Sequence, residues 1–297
     1  MSSPRQISRG RIWMITRRCT QRQFILRPDD ETNNSFAYCL AEAAERFQID
    51  VVLPSVMSNH HHTIVYDAYG HIVDFIQHLH RHVAKSQNAL RGRSENMWSS
   101  EELSLVELVD PGDVIAKLIY AATNPVKDGL VESVRHWPGF NGLSALLNQR
   151  PIETRRPKHF FRADGSMPER VTLNLVLPAA LGDPEVVRRL LREAVAAVEE
   201  QMAAERALKG IRVMGRRAVL RQSWRSSPGT PEPRRRLRPR FAARDTATRV
   251  AIARRYRAFL NDYRKARALW LAGTTALFPS GTYWLHRFAG VPVAQPS

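Results

Sequence analysis

Two short apolar segments, IDVVLPSVM and HHHTIVY, are separated by only Ser58 and Asn59. Both are rich in β-formers and too short for ordinary helices, so they read as strands. A link that short allows only antiparallel pairing, as a hairpin. Pro54 inside the first strand removes a ladder donor and points to an edge or a bulge. Upstream, RIWMITRRC (Arg11–Cys19) alternates apolar and polar residues and reads as a further strand. RPDDETNNSFAYCLAEAAERFQ follows it with acidic and Asn caps, and Phe36, Leu40, Ala43, Ala44 and Phe47 fall at helical spacing. After the hairpin, HIVDFIQHLHRHVAKSQNALRG puts Ile72, Phe75, Ile76, Leu79 and Val83 on one helix face, with Gly92 near its end. DPGDVIAKLIYAATNPVKDGLV is a third helix, entered through Asp110 to Asp113. Strand–helix–hairpin–helix order predicts an α+β domain, an antiparallel sheet with helices on one face.

Beyond Pro151 the texture changes, which divides the chain into regions 1–150 and 151–297. RVTLNLVLP reads as a short strand. A long helix follows, with Asp183 as N-cap, Pro184 in its first turn and Gly210 past its end. Its expected buried stripe includes Val187, Leu190, Leu191, Val195 and Met202. SSPGTPEPRRRLRPR is too rich in Pro and Arg for a regular element. A last helix carries Ile252, Tyr256, Phe259, Tyr263 and Ala266 on one side and arginines elsewhere.

Charge divides the same way. Residues 1–150 hold 16 Lys and Arg against 16 Asp and Glu; residues 151–297 hold 29 against 12. The whole formal charge of +17 therefore sits in the second region, which marks it as a platform for a polyanion. Arginine dominates it, which suits phosphate and base-edge contacts; a basic tail that binds nucleic acid without selectivity is the simpler alternative. Two cysteines are too few for a disulfide framework. No signal-peptide pattern and no apolar run of about 18 residues is present. The expectation is a cytoplasmic, nucleoid-associated protein with no membrane partner.

Three consecutive histidines, His60 to His62, lie inside the second hairpin strand. Strand alternation puts His60 and His62 on one face and His61 on the other. A His-x-His pair can bridge one metal ion, although histidines bonded to backbone carbonyls would look the same in sequence. Tyr120 and Asn124 are four apart on the third helix and share a face. Asn124 offers an oxygen suited to a hard cation, and Tyr120 beside it would be a nucleophile. The alternative for Tyr120 is an ordinary core tyrosine. No third His, Cys or carboxylate stands at a spacing that would favour a zinc hydrolase or a structural zinc site.

SNHHH together with YAATNPVKDGLV resembles the single-tyrosine HUH transposases, and among them the REP-associated tyrosine transposases related to insertion-sequence-200-type enzymes. Tyr120, Asn124, Pro125, Val126, Lys127, Gly129, Leu130 and Val131 match that family's second motif. The resemblance spans roughly residues 9–145. It implies a ferredoxin-like fold, with 1–150 as the catalytic domain and 151–297 as a basic, mostly helical DNA-binding extension. It also implies Mg²⁺ or Mn²⁺ on His60, His62 and Asn124, and attack by Tyr120 on single-stranded DNA near a hairpin. A 5′-phosphotyrosine intermediate would follow. Lys127 is expected near a phosphate or as a solvated lysine. Arg234, Arg235, Arg236, Arg238 and Arg240 are expected to grip DNA backbone, and Trp224, Tyr256 or Tyr263 are candidates to stack on unpaired bases; the alternative for Tyr256 and Tyr263, which lie at core spacing, is that they are ordinary core tyrosines. The protein would act as a monomer or homodimer; a domesticated, non-cleaving hairpin-binding protein is the alternative. His61 departs from the family, which has a hydrophobic residue there, and so needs a polar partner or solvent.

Overall fold

In strand β1 (Arg11–Arg18) Ile12 and Met14 point to one side, Trp13 and Ile15 to the other, and all four are buried. A strand apolar on both faces requires cover on both sides of its sheet. The computed structural model, which describes residues 4–231 and 239–295, supplies that cover from different parts of the chain.

β1 leads into α1 (Asp30–Phe47), then the hairpin β2 (Asp50–Val56) and β3 (His60–Asp67), then α2 (Ile72–Arg91) and β4 (Ser104–Leu108). The strand order is β2-β3-β1-β4, all antiparallel, which is the ferredoxin-like βαββαβ arrangement. Local chemistry sets the element ends. The Asp29 carboxylate caps α1 through the Thr32 amide at 2.9 Å. The buried Asp67 carboxylate collects the amides of Gly70, His71 and Ile72 at 2.7–3.0 Å, turning β3 into α2. Gly92 closes α2 with φ +60°. As Pro54 indicates, β2 is an edge strand, with a register shift between Val51 and Leu53.

α1 and α2 lie together on the face that Trp13, Ile15 and Val65 present. The expectation of helices on one face holds for these two but not for α3 (Pro111–Lys127). This helix packs on Ile12, Met14 and Ile64 on the opposite face. The reason is the double-sided burial of β1, which leaves a second apolar surface to be covered. β4 was not anticipated, because SLVEL is short and carries an acid. Glu107 is nonetheless accommodated by Arg11 at 2.9 Å and Arg255 at 2.6 Å.

The loop after α3 seals the β2 edge. Val56 donates its amide to Phe140, and Trp137 Nε1 donates to the Val56 carbonyl at 3.0 Å. Gly142 sits where a Cβ would fall 2.7 Å from the Pro54 ring, so only glycine fits. α4 (Leu143–Asn148) follows, then the ribbon β5 (Ile152–Arg155) with β6 (Arg170–Leu173), which rests on α1.

α5 (Pro184–Lys209) has the expected Asp183 cap and Gly210 end. It lies against α3 through Val187, Leu191 and Val195, whereas Leu190 is 40% exposed. A helix packed along one side only buries a narrower stripe than its sequence offers. α6 (Arg216–Arg221) joins the same core through Val219. β7 (Phe241–Ala242) extends the sheet parallel to β4, and α7 (Thr246–Leu271) buries Ile252, Phe259 and Ala266. α8 (Trp284–Ala289) is the last helix. Cys19 and Cys39 are free and buried.

Leu191 is fully buried between α5 and α3. Leu191→Ala should lower stability by about 2–5 kcal/mol through lost transfer energy and a cavity. A shift of the urea midpoint at unchanged slope would report it.

Candidate active site

Alternation along β3 aims His60 and His62 at α3 and His61 at α2. On the α3 side, the rings of His60 and His62 are 4.9 Å apart. Thr16 is the cross-strand partner of His62, and its Oγ1 lies 2.8 Å from His62 Nδ1. His60 Nδ1 donates to Asn59 Oδ1 at 2.7 Å. Each imidazole is thus oriented by its Nδ1, which turns its free edge towards α3, as in metal-binding histidines with an outer-shell partner. Burial first, then His60, Arg18 and Lys117, depresses the pKa of His62 well below the ordinary imidazole range and keeps it neutral.

α3 crosses this face with Tyr120 and Asn124 one turn apart. Asn124 is 5% exposed and donates from Nδ2 to His60 Nε2 at 3.1 Å. Tyr120 is 39% exposed, with its ring 5.3 Å from that of His62. Pro125 lies in the last helical turn, where its missing amide leaves a carbonyl without an intrahelical donor. Asn141 supports this turn through the Ala122 carbonyl at 3.1 Å. Gly129, at φ +66°, then takes the chain out of the helix. The Asn-Pro-Val-Lys-Asp-Gly-Leu-Val run is therefore a helix end that fixes the position of Asn124.

His60, His62, Tyr120 and Asn124 all meet at one place. Lys127 joins them, its Nζ 5.6 Å from the centre of the Tyr120 ring. Lys117 lies at the same distance and was missed, although its place one turn before Tyr120 made it legible. Thr16 and Asn59 were also missed. Thr16 depends on strand register, which the sequence does not print; Asn59 immediately precedes His60.

Among the described residues no group of three His, Cys, Asp or Glu is arranged to hold a metal ion. The donor set at this face is instead two imidazoles and an amide. His62 Nε2 is buried and has no hydrogen-bond partner, an arrangement that costs free energy unless something occupies its lone pair. Turning the Asn124 amide exchanges its nitrogen for its oxygen towards the same space, since the two ends are isosteric. The residues present therefore fit a divalent cation.

The arginines expected to grip DNA fare differently. Arg234, Arg235, Arg236 and Arg238 lie outside the described residues. Arg240 is held by the protein, donating to the Pro4 carbonyl at 3.1 Å and to the Tyr256 hydroxyl, with its guanidinium over the Tyr256 ring. Tyr256 itself donates to Pro4, and Tyr263 packs between Phe259 and Phe278. Trp224 carries Arg93 and Arg225 over its ring at 5.7 and 5.0 Å.

His61 has the polar partners it requires and no solvent exposure. Its Nδ1 lies 2.9 Å from Thr63 Oγ1 and its Nε2 2.9 Å from His80 Nε2, beneath Phe36 and Trp98. One Nε2 donates and the other accepts, and burial, the first cause for each, lowers the pKa of both imidazoles and favours their neutral forms. Trp98 Nε1 donates to the His80 carbonyl at 2.9 Å and closes the cluster.

Fold and site together describe a class: a ferredoxin-like sheet carrying a His-x-His strand against a helix with a tyrosine and an asparagine one turn apart. No protein-family model matches the chain, and no curated protein does. Among solved structures, it is similar to a REP-associated tyrosine transposase bound to a REP hairpin. The match has 17% identity and a TM-score of 0.42 and covers 58% of this chain and 98% of that one. A protein from Deinococcus radiodurans R1 assigned as a transposase matches at 16% identity and a TM-score of 0.30, over 39% of this chain and 93% of that one. Among the described residues no helix is long and apolar enough to cross a membrane.

The buried imidazole pair predicts a pH response. Burial, with a smaller contribution from Arg17, lowers the His80 pKa to about 3. The unfolded chain binds a proton near pH 6.5 that the folded chain refuses, so stability is full above that pH and falls as pH drops towards 3. The slope should approach about 1.4 kcal/mol per pH unit for each such histidine. His80→Gln should flatten it, as read from urea midpoints between pH 7.5 and 5.

Proposed function

We propose that this protein is a metal-dependent, single-stranded DNA nicking and strand-transfer enzyme, a transposase of the single-tyrosine HUH kind. Its DNA would carry a hairpin near the cut. The observation that carries this reading is the unpartnered, buried Nε2 of His62 beside His60, facing a helix that brings Asn124 and a half-exposed Tyr120 to the same place.

His60 Nε2, His62 Nε2 and Asn124 Oδ1 would hold Mg²⁺ or Mn²⁺. Bound there, the ion supplies positive charge that polarises a phosphate oxygen. The Tyr120 hydroxyl loses its proton to water and attacks phosphorus in line. The P–O3′ bond breaks, and the departing 3′-oxygen takes up a proton. Tyr120 then carries the 5′-phosphate. The phosphodiester energy is retained, so another 3′-hydroxyl can reverse the step and join strands without a nucleotide cofactor. Lys117 and Lys127 flank the tyrosine ring and counter phosphate charge. Thr16 and Asn59 hold the imidazoles in the tautomer that leaves Nε2 a lone pair.

Incubation with hairpin-bearing single-stranded DNA and Mg²⁺ or Mn²⁺ should give an SDS-resistant protein–DNA adduct. Tyr120→Phe should abolish it, and chelation should do the same to the wild type. An adduct formed by Tyr120→Phe would overturn the nucleophile. Hairpin binding by the wild type without any adduct would instead identify a non-cleaving DNA-binding protein.

His60→Ala and His62→Ala should remove cleavage yet leave hairpin binding near the wild-type level. Thr16→Val should weaken Mn²⁺ binding about 10–100-fold, measured directly by electron paramagnetic resonance. Unchanged Mn²⁺ affinity in Thr16→Val would separate His62 from the metal.

A further inference from the structure

From Arg206 to Pro231 the chain has seven basic residues and no acidic one. Its later part, residues 211–230, forms a strap fixed at two ends. At one end the amides of Met214 and Gly215 donate to the carbonyls of Gly129 and Leu130 at 2.9 Å, directly after the helix that carries Tyr120 and Asn124. At the other, the Phe24 amide donates to Ser226 at 2.9 Å and Arg22 donates to Thr230 at 2.7 Å. This second anchor lies one side chain from the site, because Asn59 donates to the Arg22 carbonyl at 3.3 Å while accepting from His60 Nδ1. The strap therefore runs from the tyrosine side of the site to the histidine side. Buried Val219 roots its middle in the core beneath α3.

Arg216, Arg217 and Arg221 stand on the strap, exposed, around an open depression they share with Met214 and Ala218. None of the three makes an ion pair or a side-chain hydrogen bond with any described residue. Further along, Trp224 holds the guanidinium groups of Arg93 and Arg225 over its ring. Unneutralised arginines in a row, ending at a planar guanidinium–indole cluster, match a nucleic-acid backbone with unpaired bases. The site they border requires a flexible strand, since a phosphate must reach Tyr120 beside His60 and the buried His62.

Taken on the functional reading above, the geometry points to the strap as a single-strand track: Arg216, Arg217 and Arg221 grip the DNA strand adjoining the scissile phosphate, and the Arg93–Trp224–Arg225 cluster receives its bases. The track lies in the extension but uses residues other than the arginine-rich loop and Arg240.

The test uses the full chain and fluorescence anisotropy with oligothymidine of about 16 nucleotides, beside a duplex of equal length. The triple variant R216Q/R217Q/R221Q should bind the single strand at least about tenfold more weakly and lower its log K against log salt slope by about 2, with duplex binding unchanged. The charge-retaining R216K/R217K/R221K should keep the wild-type slope. Equal losses on both probes, no loss on either, or no binding of the single strand by the wild type would overturn the track. A lost slope in both triple variants would mean that they disturb the fold, not a phosphate grip, and would likewise overturn it. If the track behaves as expected while the wild type forms no tyrosine adduct, the catalytic reading falls and the track stands. If adducts form and the Gln variant binds and cleaves like the wild type, the track falls alone.

Discussion

β3 is hydrogen-bonded on both edges and buried on both faces, and the candidate site depends on that confinement. A slip of one residue would exchange His60 and His62 with His61, sending the metal-type pair into the α1–α2 core. Both neighbours hold the register. Thr16 pairs with His62 from β1, and Ser55 from β2. The buried Asp67 anchors the far end by capping four amides of the turn into α2, those of Tyr69, Gly70, His71 and Ile72. His61 adds to the same specification. It is bonded to Thr63 and His80 on the α2 side, so a shifted strand would leave buried polar groups unpaired.

The second face of the sheet makes the site, and it is held from outside the ferredoxin-like unit. α3 brings Tyr120 and Asn124 over the histidines, and α5 lies behind it through Leu191 and Val195. Glu199 of α5 accepts from the Ser133 hydroxyl at 3.0 Å and the Val134 amide at 2.7 Å, fixing the chain that leaves α3. Met214 and Gly215 add two backbone bonds at the Gly129 corner. Part of the basic second region is therefore structural support for the tyrosine helix: α5 and α6 share an apolar core with α3 and the sheet, whereas Ala266 of α7 packs in a separate cluster with Ala276, Phe278 and Val291.

The arginines fall into two groups. Arg11 and Arg255 neutralise the buried Glu107, Arg244 meets Asp113, and Arg240 is spent on Pro4 and Tyr256. These arginines tie the N-terminal segment, β4 and α7 together. Arg216, Arg217 and Arg221 have no such acidic neighbours among the described residues. Composition alone could not separate the two groups, because an arginine's partner is chosen by the fold.

Periodicity and punctuation determined much of this protein by themselves. The hairpin, the helices α1, α2, α3 and α5 with their caps, the opposite orientations of His60 and His61, and the shared face of Tyr120 and Asn124 all follow from local geometry. These signals act within a few residues, so a single chain displays them. Tertiary structure decided what depends on distant partners. It put α3 on the face opposite α1 and α2 and recruited the short, acidic β4 by pairing it with β1. It also set Thr16 against His62, gave His61 its partner in His80, and left His62 Nε2 buried with an open lone pair. Each of these joins segments tens of residues apart, where the balance of burial and polar satisfaction, not local propensity, selects the neighbour.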